Sequence, residues 1–185
     1  MNTWPRFFTL KRVVLILASV VVVGLGLGEF GMFSPKPSNQ SVRPTLRILK
    51  DVQIGVKNYE IEYNRWPVSE NEEDYFAVLR GGLVRCLAGE ASDLNPRGIR
   101  FIDLPMTQPK VRSGGLMRDN TEEIWIVDQW SRPIYVVIDA DHDNSVRPPD
   151  IRWWESRDIP IGVAVFSAGP DGIPGNEDDV TSWRG

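Results

Sequence analysis

The chain carries a long uncharged segment close to its N-terminus. Sixteen residues, 13–28, contain no charged side chain and follow directly on Lys11 and Arg12. At 1.5 Å per residue, a helix over this segment is about 24 Å long, and a helix that continues through Phe33 is about 31 Å long. Because the hydrocarbon core of a bilayer is about 30 Å thick, we expect residues 1–33 to form a short N-terminal stretch and a transmembrane helix.

The charges on either side of this segment predict its orientation. Arg6, Lys11 and Arg12 precede it and Glu29 follows it, so the positive-inside rule places the N-terminus in the cytoplasm. The prediction is a single-pass protein of the inner (cytoplasmic) membrane that contacts membrane lipid through its N-terminal helix. Its C-terminal domain is then periplasmic or extracellular. A cleaved signal peptide is the alternative, although the segment is long and lacks an Ala-x-Ala-like cleavage site.

A linker and an amphipathic helix follow the apolar segment. Residues 34–44 contain three prolines and no apolar run, which is typical of an extended spacer before a globular domain at 45–185. Apolar side chains then recur at alternating steps of four and three: Leu49, Val52, Val56, Tyr59, Tyr63 and Trp66. This stripe predicts a helix that Pro67 ends and that buries Tyr59 and Tyr63 against a sheet. A partner helix is the alternative to the sheet.

The rest of the domain has the composition of short strands. Residues 73–80 are compatible with a short second helix, weakened by the glycines at 81 and 82. Strand-forming residues separated by Gly, Pro, Asp and Asn then occur in four runs: 98–104, 122–128, 133–140 and 161–169. A helix followed by a small antiparallel sheet predicts an α+β fold.

Composition argues against two classes of function. The formal net charge is −4 and the 21 Lys and Arg residues are scattered, so we expect no nucleic-acid-binding surface. Cys86 is the only cysteine and has no partner for a disulfide or a CxxC pair. His142 is the only histidine, so every histidine-based triad would depend on one loop residue. We expect a protein that is not an enzyme.

Two acidic loops are candidates for binding a cation. Residues 171–179 hold four carboxylates and no basic residue, a density of like charge that a bound cation relieves. The alternative for residues 171–179 is a disordered acidic tail. The apolar residues that lie among and after the acidic ones argue against it. The second candidate, with Asp139, Asp141 and Asp143, has the odd spacing of an EF-hand-like loop. Asn144 replaces the turn glycine there, and a solvated acidic hairpin is the alternative.

Three stretches carry a resemblance to a known family. "YEIEYNRWP", "DQWSRPIYVV" and "FSAGPDGIPGNEDDVTSW" follow an apolar N-terminus in this order, as in the pseudopilins of type II secretion systems. The chain resembles the major pseudopilin over residues 46–66 and 124–183. The resemblance implies a pilin-like helix packed on a small sheet and a C-terminal loop that binds Ca²⁺. The ligands would be three carboxylates and one backbone carbonyl: Asp171, Asp178, Asp179 and Ala168.

The N-terminus departs from the family pattern. Phe7 stands where the family has a glycine before the prepilin cleavage site, and Arg12 stands where it has a buried glutamate. The prolines of the linker interrupt a helix that is continuous in the family. The resemblance implies a membrane-anchored structural subunit that assembles with like subunits or other pseudopilins. The alternative, from another functional class, is a membrane-anchored, calcium-stabilised exported binding module that never polymerises.

Overall fold

The computed structural model describes residues 42–69, 73–108, 111–148 and 158–184. Two helices and six strands follow one another there: α1 (Arg43–Tyr63), β1 (Tyr75–Val78), α2 (Gly81–Leu87), β2 (Gly115–Arg118), β3 (Ile124–Val127), β4 (Ile134–Ile138), β5 (Val163–Ser167) and β6 (Val180–Thr181). The predicted α+β class is confirmed. The predicted transmembrane helix and most of the linker lie outside the described residues. Neither described helix has the length and apolar character that a membrane span needs.

Helix α1 occupies the predicted region with shifted ends. It starts at Arg43, and Pro44 sits in its first turn, where a missing backbone N–H costs no hydrogen bond. The boundary predicted at 44/45 therefore falls within the helix. Asn64 ends the helix in the left-handed conformation, at φ 52°. Trp66 consequently lies beyond the helix, although its side chain is buried in the same core.

A four-stranded antiparallel sheet forms the centre of the domain. Its strand order is β1-β4-β5-β6, and the pairing Val136↔Val165 fixes the register of the two central strands. Strands β2 and β3 form a separate antiparallel pair. Helix α1 packs against β5 and β6. Its buried apolar face consists of Ile48, Leu49, Val52, Val56 and Tyr59.

The sheet is apolar on both faces. The face toward α1 contributes Val136 and Val165 to the main core. The opposite face forms a smaller cluster around Val137, Ala164 and Phe166. Aromatic rings stack across the strands on that face, with Tyr135 and Phe166 centroids 4.9 Å apart. Strand β5 is buried along its whole length because it is covered on both sides.

The two predicted tyrosines of α1 contact an irregular segment. Tyr59 is fully buried, and its hydroxyl donates a hydrogen bond to the carbonyl of Leu94. Tyr63 is half-buried and donates to Oδ1 of Asn95 at 2.7 Å. Both rings lie close to Phe101, at 5.2 and 6.0 Å between centroids. The two rings also contact each other, at 4.7 Å between centroids. Their other ring contact and their hydroxyl hydrogen bonds are with residues 94–101, which lie outside the sheet.

Two local predictions were wrong. Residues 73–80 form strand β1 and its continuation, and the short helix begins only at Gly81. The alternation of Phe76 and Ala77 fits the edge of a sheet, where β1 pairs with β4. Residues 98–104 form no strand, because the amides of Phe101 and Ile102 both donate to the carbonyl of Leu87 at the end of α2. Strand β2 was not predicted.

Candidate functional site

The C-terminal acidic loop connects β5 to β6 and is closed by its own side chains. The carbonyl of Ala168 accepts a hydrogen bond from the amide of Gly172 at 3.2 Å. Asn176 joins the two ends of the loop: its Nδ2 donates to Oδ2 of Asp171 at 2.8 Å, and its amide donates to Oδ2 of Asp179 at 3.1 Å. The loop therefore holds its carboxylates in a defined, half-buried arrangement.

Charge repulsion and burial act together on this loop. Burial, followed by the nearby charge of Asp171, raises the pKa of Asp178 above its ordinary value. Gly169 has a φ of 64°, and a Cβ there would overlap the carbonyl oxygen of Asp178. The guanidinium of Arg132 lies against Gly172, 3.0 Å from where a Cβ would stand. A positive charge is therefore already present at one side of the loop.

Buried hydrogen bonds tie both ends of the loop to the domain. The hydroxyl of Ser167 donates to Oδ2 of Asp128 and accepts the amide of Gly169 at 3.1 Å. At the other end, Ser182 Oγ accepts the amide of Val165 at 3.0 Å, and the Ser182 carbonyl accepts a hydrogen bond from Nζ of Lys50 on α1. The loop is thereby coupled to the sheet and to the helix.

The buried carboxyl group of Asp128 should make the free energy of unfolding depend on pH. It is fully buried, and burial raises its pKa above 3.8, although hydrogen bonds from Ser167, Arg132 and Trp130 oppose that shift. Its contribution to the free energy of unfolding is present below pH 3.8 and is lost as the pH rises through the higher folded-state pKa. We expect Asp128→Asn to remove this component, so that urea melts between pH 7 and 4 show less gain of stability toward acid than the wild type.

A matched control for this experiment is Asp119→Asn. Hydrogen bonds, foremost from the hydroxyl of Thr121, hold the pKa of Asp119 at about 2. Its stabilising contribution is lost only as the pH falls from 3.8 toward 2, so the slope between pH 7 and 4 should stay unchanged. Equal slopes in the wild type and in Asp128→Asn would contradict the role assigned to Asp128.

A second acidic group is assembled by strand pairing. Oxygen atoms of Asp74, Asp139 and Asp141 all lie within 4.8 Å of one another. The pairing Tyr75↔Ile138 explains this group, because Asp74 directly precedes the first residue and Asp139 directly follows the second. Asp139 and Asp141 were predicted from their spacing, and Asp74 was missed. The prediction of Asp74 required the register of β1, which the sequence pattern did not reveal.

Asp143 does not belong to this second group. Its Oδ1 accepts the amide and the hydroxyl of Ser145, both at 2.8 Å, and its own amide donates to Oδ1 of Asp139 at 3.0 Å. The carboxylate of Asp143 therefore closes a local turn. Of the three residues predicted from the EF-hand-like spacing, Asp139 and Asp141 belong to this group, and Asp74 stands where Asp143 was expected.

The second group disfavours the ionised forms of Asp74 and Asp139. Burial is the main cause that raises the pKa of Asp74, and the charges of Asp141, Asp139 and Asp143 add to it. Burial also raises the pKa of Asp139, followed by its interaction with Asp141. Arg147 lies beside the group, where its amide donates to Oδ2 of Asp74 at 2.5 Å and its side chain pairs with Asp158.

The two loops differ in how well they could hold a cation. Three carboxylate oxygens within 4.8 Å can contact one hard cation, since Ca²⁺–oxygen distances are about 2.3–2.6 Å. Within the described ranges, Asp74, Asp139 and Asp141 are the only acidic group that meets this spacing. Asp171, Asp178 and Asp179 do not meet it as placed, so the C-terminal loop would have to tighten around an ion.

Cys86 and His142 are the two side chains on which a thiol- or histidine-based catalytic site would depend. Cys86 is buried, and burial raises its thiol pKa to about 11, so the thiolate form is scarce at neutral pH. His142 stacks on Trp66, with ring centroids 6.4 Å apart.

Comparison of the chain with protein-family models, with curated proteins and with solved structures found no match in any of the three.

Proposed function

We propose that the chain is a membrane-anchored, pseudopilin-like structural subunit of a type II secretion or related pilus-like assembly, with an exported domain that calcium stabilises. The observation that carries the proposal is the arrangement of α1. This 21-residue helix follows the uncharged N-terminal segment and buries one face on a four-stranded antiparallel sheet, whose last connection is the acidic loop. An apolar segment followed by such a helix is the order of elements that the resemblance to pseudopilins implies, with the proline-containing linker 34–44 between the two in this chain.

The role proposed for calcium is structural. Ala168, Asp171, Asp178 and Asp179 supply the ligands, and the ion would fasten the loop between β5 and β6 to the core. The hydrogen bonds of Asn176 to Asp171 and Asp179 support this proposal, since they already hold two of the three carboxylates in one loop. Asp74, Asp139 and Asp141 are the second candidate for the same ion, supported by their spacing.

A topology experiment tests the anchor and the export. Cells that produce the chain are converted to spheroplasts and treated with protease, and a parallel membrane sample is washed with alkaline carbonate. The proposal expects the protein to stay in the carbonate-resistant membrane fraction and its C-terminal domain to be digested only when the outer envelope is opened. Release by carbonate, or full protection of the domain in spheroplasts, would contradict the proposal.

The N-terminus provides a further prediction. Phe7 and Arg12 replace the residues that the family uses for cleavage and for subunit docking. We therefore expect the mature protein to retain the residues before Phe8, with no methylated N-terminus at that position. Intact-mass measurement of the protein purified from membranes checks this. A mature chain that starts at methylated Phe8 would overturn the prediction while supporting the family assignment.

The non-polymerising binding module remains the second candidate function. It is favoured by the same two residues, because a chain with Arg12 in place of the buried glutamate lacks the charge that would meet the neighbouring subunit's amine. The two functions share the anchor and the calcium loop and differ only in assembly. Fractionation of assembled filaments, described in the Discussion, separates them.

A further inference from the structure

A pocket of about 470 Å³ lies at the end of the domain where α1 finishes. Its lining comes from the last turns of α1, with Ile61, from the loop after β4, with His142, and from the residues before β5, with Ile161. Trp66, which follows the helix, also lines the pocket, and His142 stacks on its ring. The pocket is therefore built by three parts of the chain that are remote in sequence.

The indole of Trp66 carries a hydrogen-bond donor without an acceptor. The residue is only 7% exposed, and its Nε1 is enclosed and has no hydrogen-bond partner among the residues that the structure describes. The N–H side of the ring borders the pocket lining at Gly162, where a Cβ would stand 3.3 Å from Cζ2 and Cη2. Because buried donors are nearly always paired, an acceptor supplied from outside would stabilise this arrangement. His142 is exposed, so its ring can turn away and open the N–H to a ligand.

The rest of the pocket favours a ligand with an apolar surface and little charge. Ile61 is 76% exposed, although it is a large apolar side chain. One basic and two acidic side chains line the pocket: Lys57, Glu60 and Asp139. Asp139 is itself buried, and burial raises its pKa. The lining therefore has no strong charge of either sign.

We propose that this pocket binds the proline-containing linker of a second copy of the chain, with a backbone carbonyl beside Pro35 or Pro37 accepting the N–H of Trp66. The carbonyls of a proline-rich segment are free of internal hydrogen bonds, and such segments dock in grooves lined by aromatic side chains. Proline also brings no backbone N–H that would need an acceptor in the pocket. The inference rests on the proposed function, in which like subunits assemble.

The linker of the same copy is too short to fill the pocket. Ile61 lies about 27 Å beyond Arg43 along α1, at 1.5 Å per residue. Pro37 and Pro35 are five and seven residues before Val42, so they can lie at most roughly 18 and 25 Å from it. Both prolines therefore stop short of the pocket in their own copy. A neighbouring copy has no such limit.

Titration of the indole signals tests the pocket. The full chain is labelled with ¹⁵N-tryptophan, reconstituted as one copy per lipid nanodisc and titrated with the end-blocked peptide SPKPSNQS, residues 34–41. The indole signal of Trp66, assigned with Trp66→Phe, should move downfield and saturate as its N–H gains an acceptor. The indole N–H of Trp125 already donates to Oδ2 of Asp119 at 3.0 Å, so its signal should stay in place.

Three changes give the magnitude. A peptide with Pro35→Ala and Pro37→Ala should bind roughly tenfold more weakly, because each proline removes conformational freedom that docking would otherwise cost. Ile61→Ala should weaken binding at least about fourfold, the factor for one CH₂ group that a partner covers. Trp66→Phe should weaken it roughly fivefold, the value of one hydrogen bond. Thermal melts check the fold, and Ile61→Ala gives the answer if Trp66→Phe does not fold.

Cysteine crosslinking identifies the copy that supplies the linker. Membranes that contain one chain with Ser38→Cys and a second, size-tagged chain with Ile61→Cys are oxidised with copper phenanthroline. Cys86 is buried with a thiol pKa of about 11, so the introduced cysteines react first. We expect a mixed disulfide-linked dimer. None should form when the second chain carries Ile173→Cys, at a position of the C-terminal loop that is 61% exposed.

The remaining outcomes separate the docking from the proposed function. A Trp66 signal that does not respond to the peptide would overturn the docking and leave a buried water as the partner of the N–H. Equal binding of the proline and alanine peptides would overturn the linker as the ligand, and peptide binding without the mixed dimer would overturn the second copy as its source. A mixed dimer in cells that form no filaments containing the chain would support the docking and overturn the proposed function alone.

Discussion

Tyr59→Ala should lower the free energy of unfolding of the domain by roughly 3 to 5 kcal/mol, the range found for truncation of large buried aromatic side chains. The ring is fully buried and packs against Tyr63 and Phe101, at 4.7 and 5.2 Å between centroids. Burial also raises the pKa of its hydroxyl above 10.0. The alanine variant would leave a cavity between α1 and residues 94–101. Denaturant melts at neutral pH measure the loss.

Two further variants control this experiment. Tyr59→Phe keeps the ring and removes only the hydrogen bond to the carbonyl of Leu94, so it should cost about 1 kcal/mol. Ile61→Ala lies on the same helix at a position that is 76% exposed, and it should change stability by no more than about 0.5 kcal/mol. If Tyr59→Ala and Ile61→Ala had equal effects, the packing described for α1 would be contradicted.

Calcium should raise the stability of residues 43–185 by about 2.7 kcal/mol when its concentration is a hundred times the dissociation constant, because an ion that binds only the folded loop adds RT ln(1 + [Ca]/Kd). Asp171→Ala or Asp179→Ala should remove most of this gain. With one ligand lost, the remaining carboxylates repel one another with less compensation, and we expect protease cleavage near Gly172 or Gly175. Melting curves in calcium and in chelator give the difference.

The second acidic group supplies the controls for the calcium experiment. Asp143→Ala should leave the calcium gain nearly intact, since its carboxylate only closes a turn with Ser145. Asp74→Asn tests the group around Asp139 and Asp141. A calcium gain that Asp74→Asn removes and Asp171→Ala leaves intact would move the site to the second group. Identical wild-type curves in calcium and in chelator would contradict calcium binding at either loop.

The sequence predicts the parts of the fold that have either a clear helical spacing of apolar side chains or a run of strand-forming side chains. Helix α1 has a clear helical periodicity of apolar side chains, and strands β4 and β5 are runs of β-branched and aromatic side chains; all three were predicted. Residues 73–80 were assigned wrongly because a short continuous run of apolar side chains, 75–79, fits a helix as well as a strand. Strand β2 has only Leu116 and Met117 as apolar side chains, and its pairing with β3 supplies what its sequence pattern lacks.

The candidate sites were harder to predict from sequence than the helix and the strands. The carboxylates of the C-terminal loop are close in sequence, so the loop could be selected as a candidate without knowledge of the fold, but its three carboxylates do not come within 4.8 Å of one another. Asp74 approaches Asp139 only through the pairing of Tyr75 with Ile138, which depends on contacts that are remote in sequence. The buried hydrogen bond between Asp128 and Ser167 has the same origin. Long-range pairings of this kind cannot be derived from spacing along one chain.

The central claim is that the chain is a subunit of a pilus-like assembly, and analysis of sheared filaments tests it most directly. Cells that produce the chain together with an active secretion apparatus are sheared, the filaments are purified, and their protein content is determined by mass spectrometry. The account predicts peptides from residues 43–184 in the filament fraction, in amounts that fall when Tyr59→Ala destabilises the domain. Filaments that lack these peptides, from cells whose membranes contain the protein only as a monomer, would contradict the account.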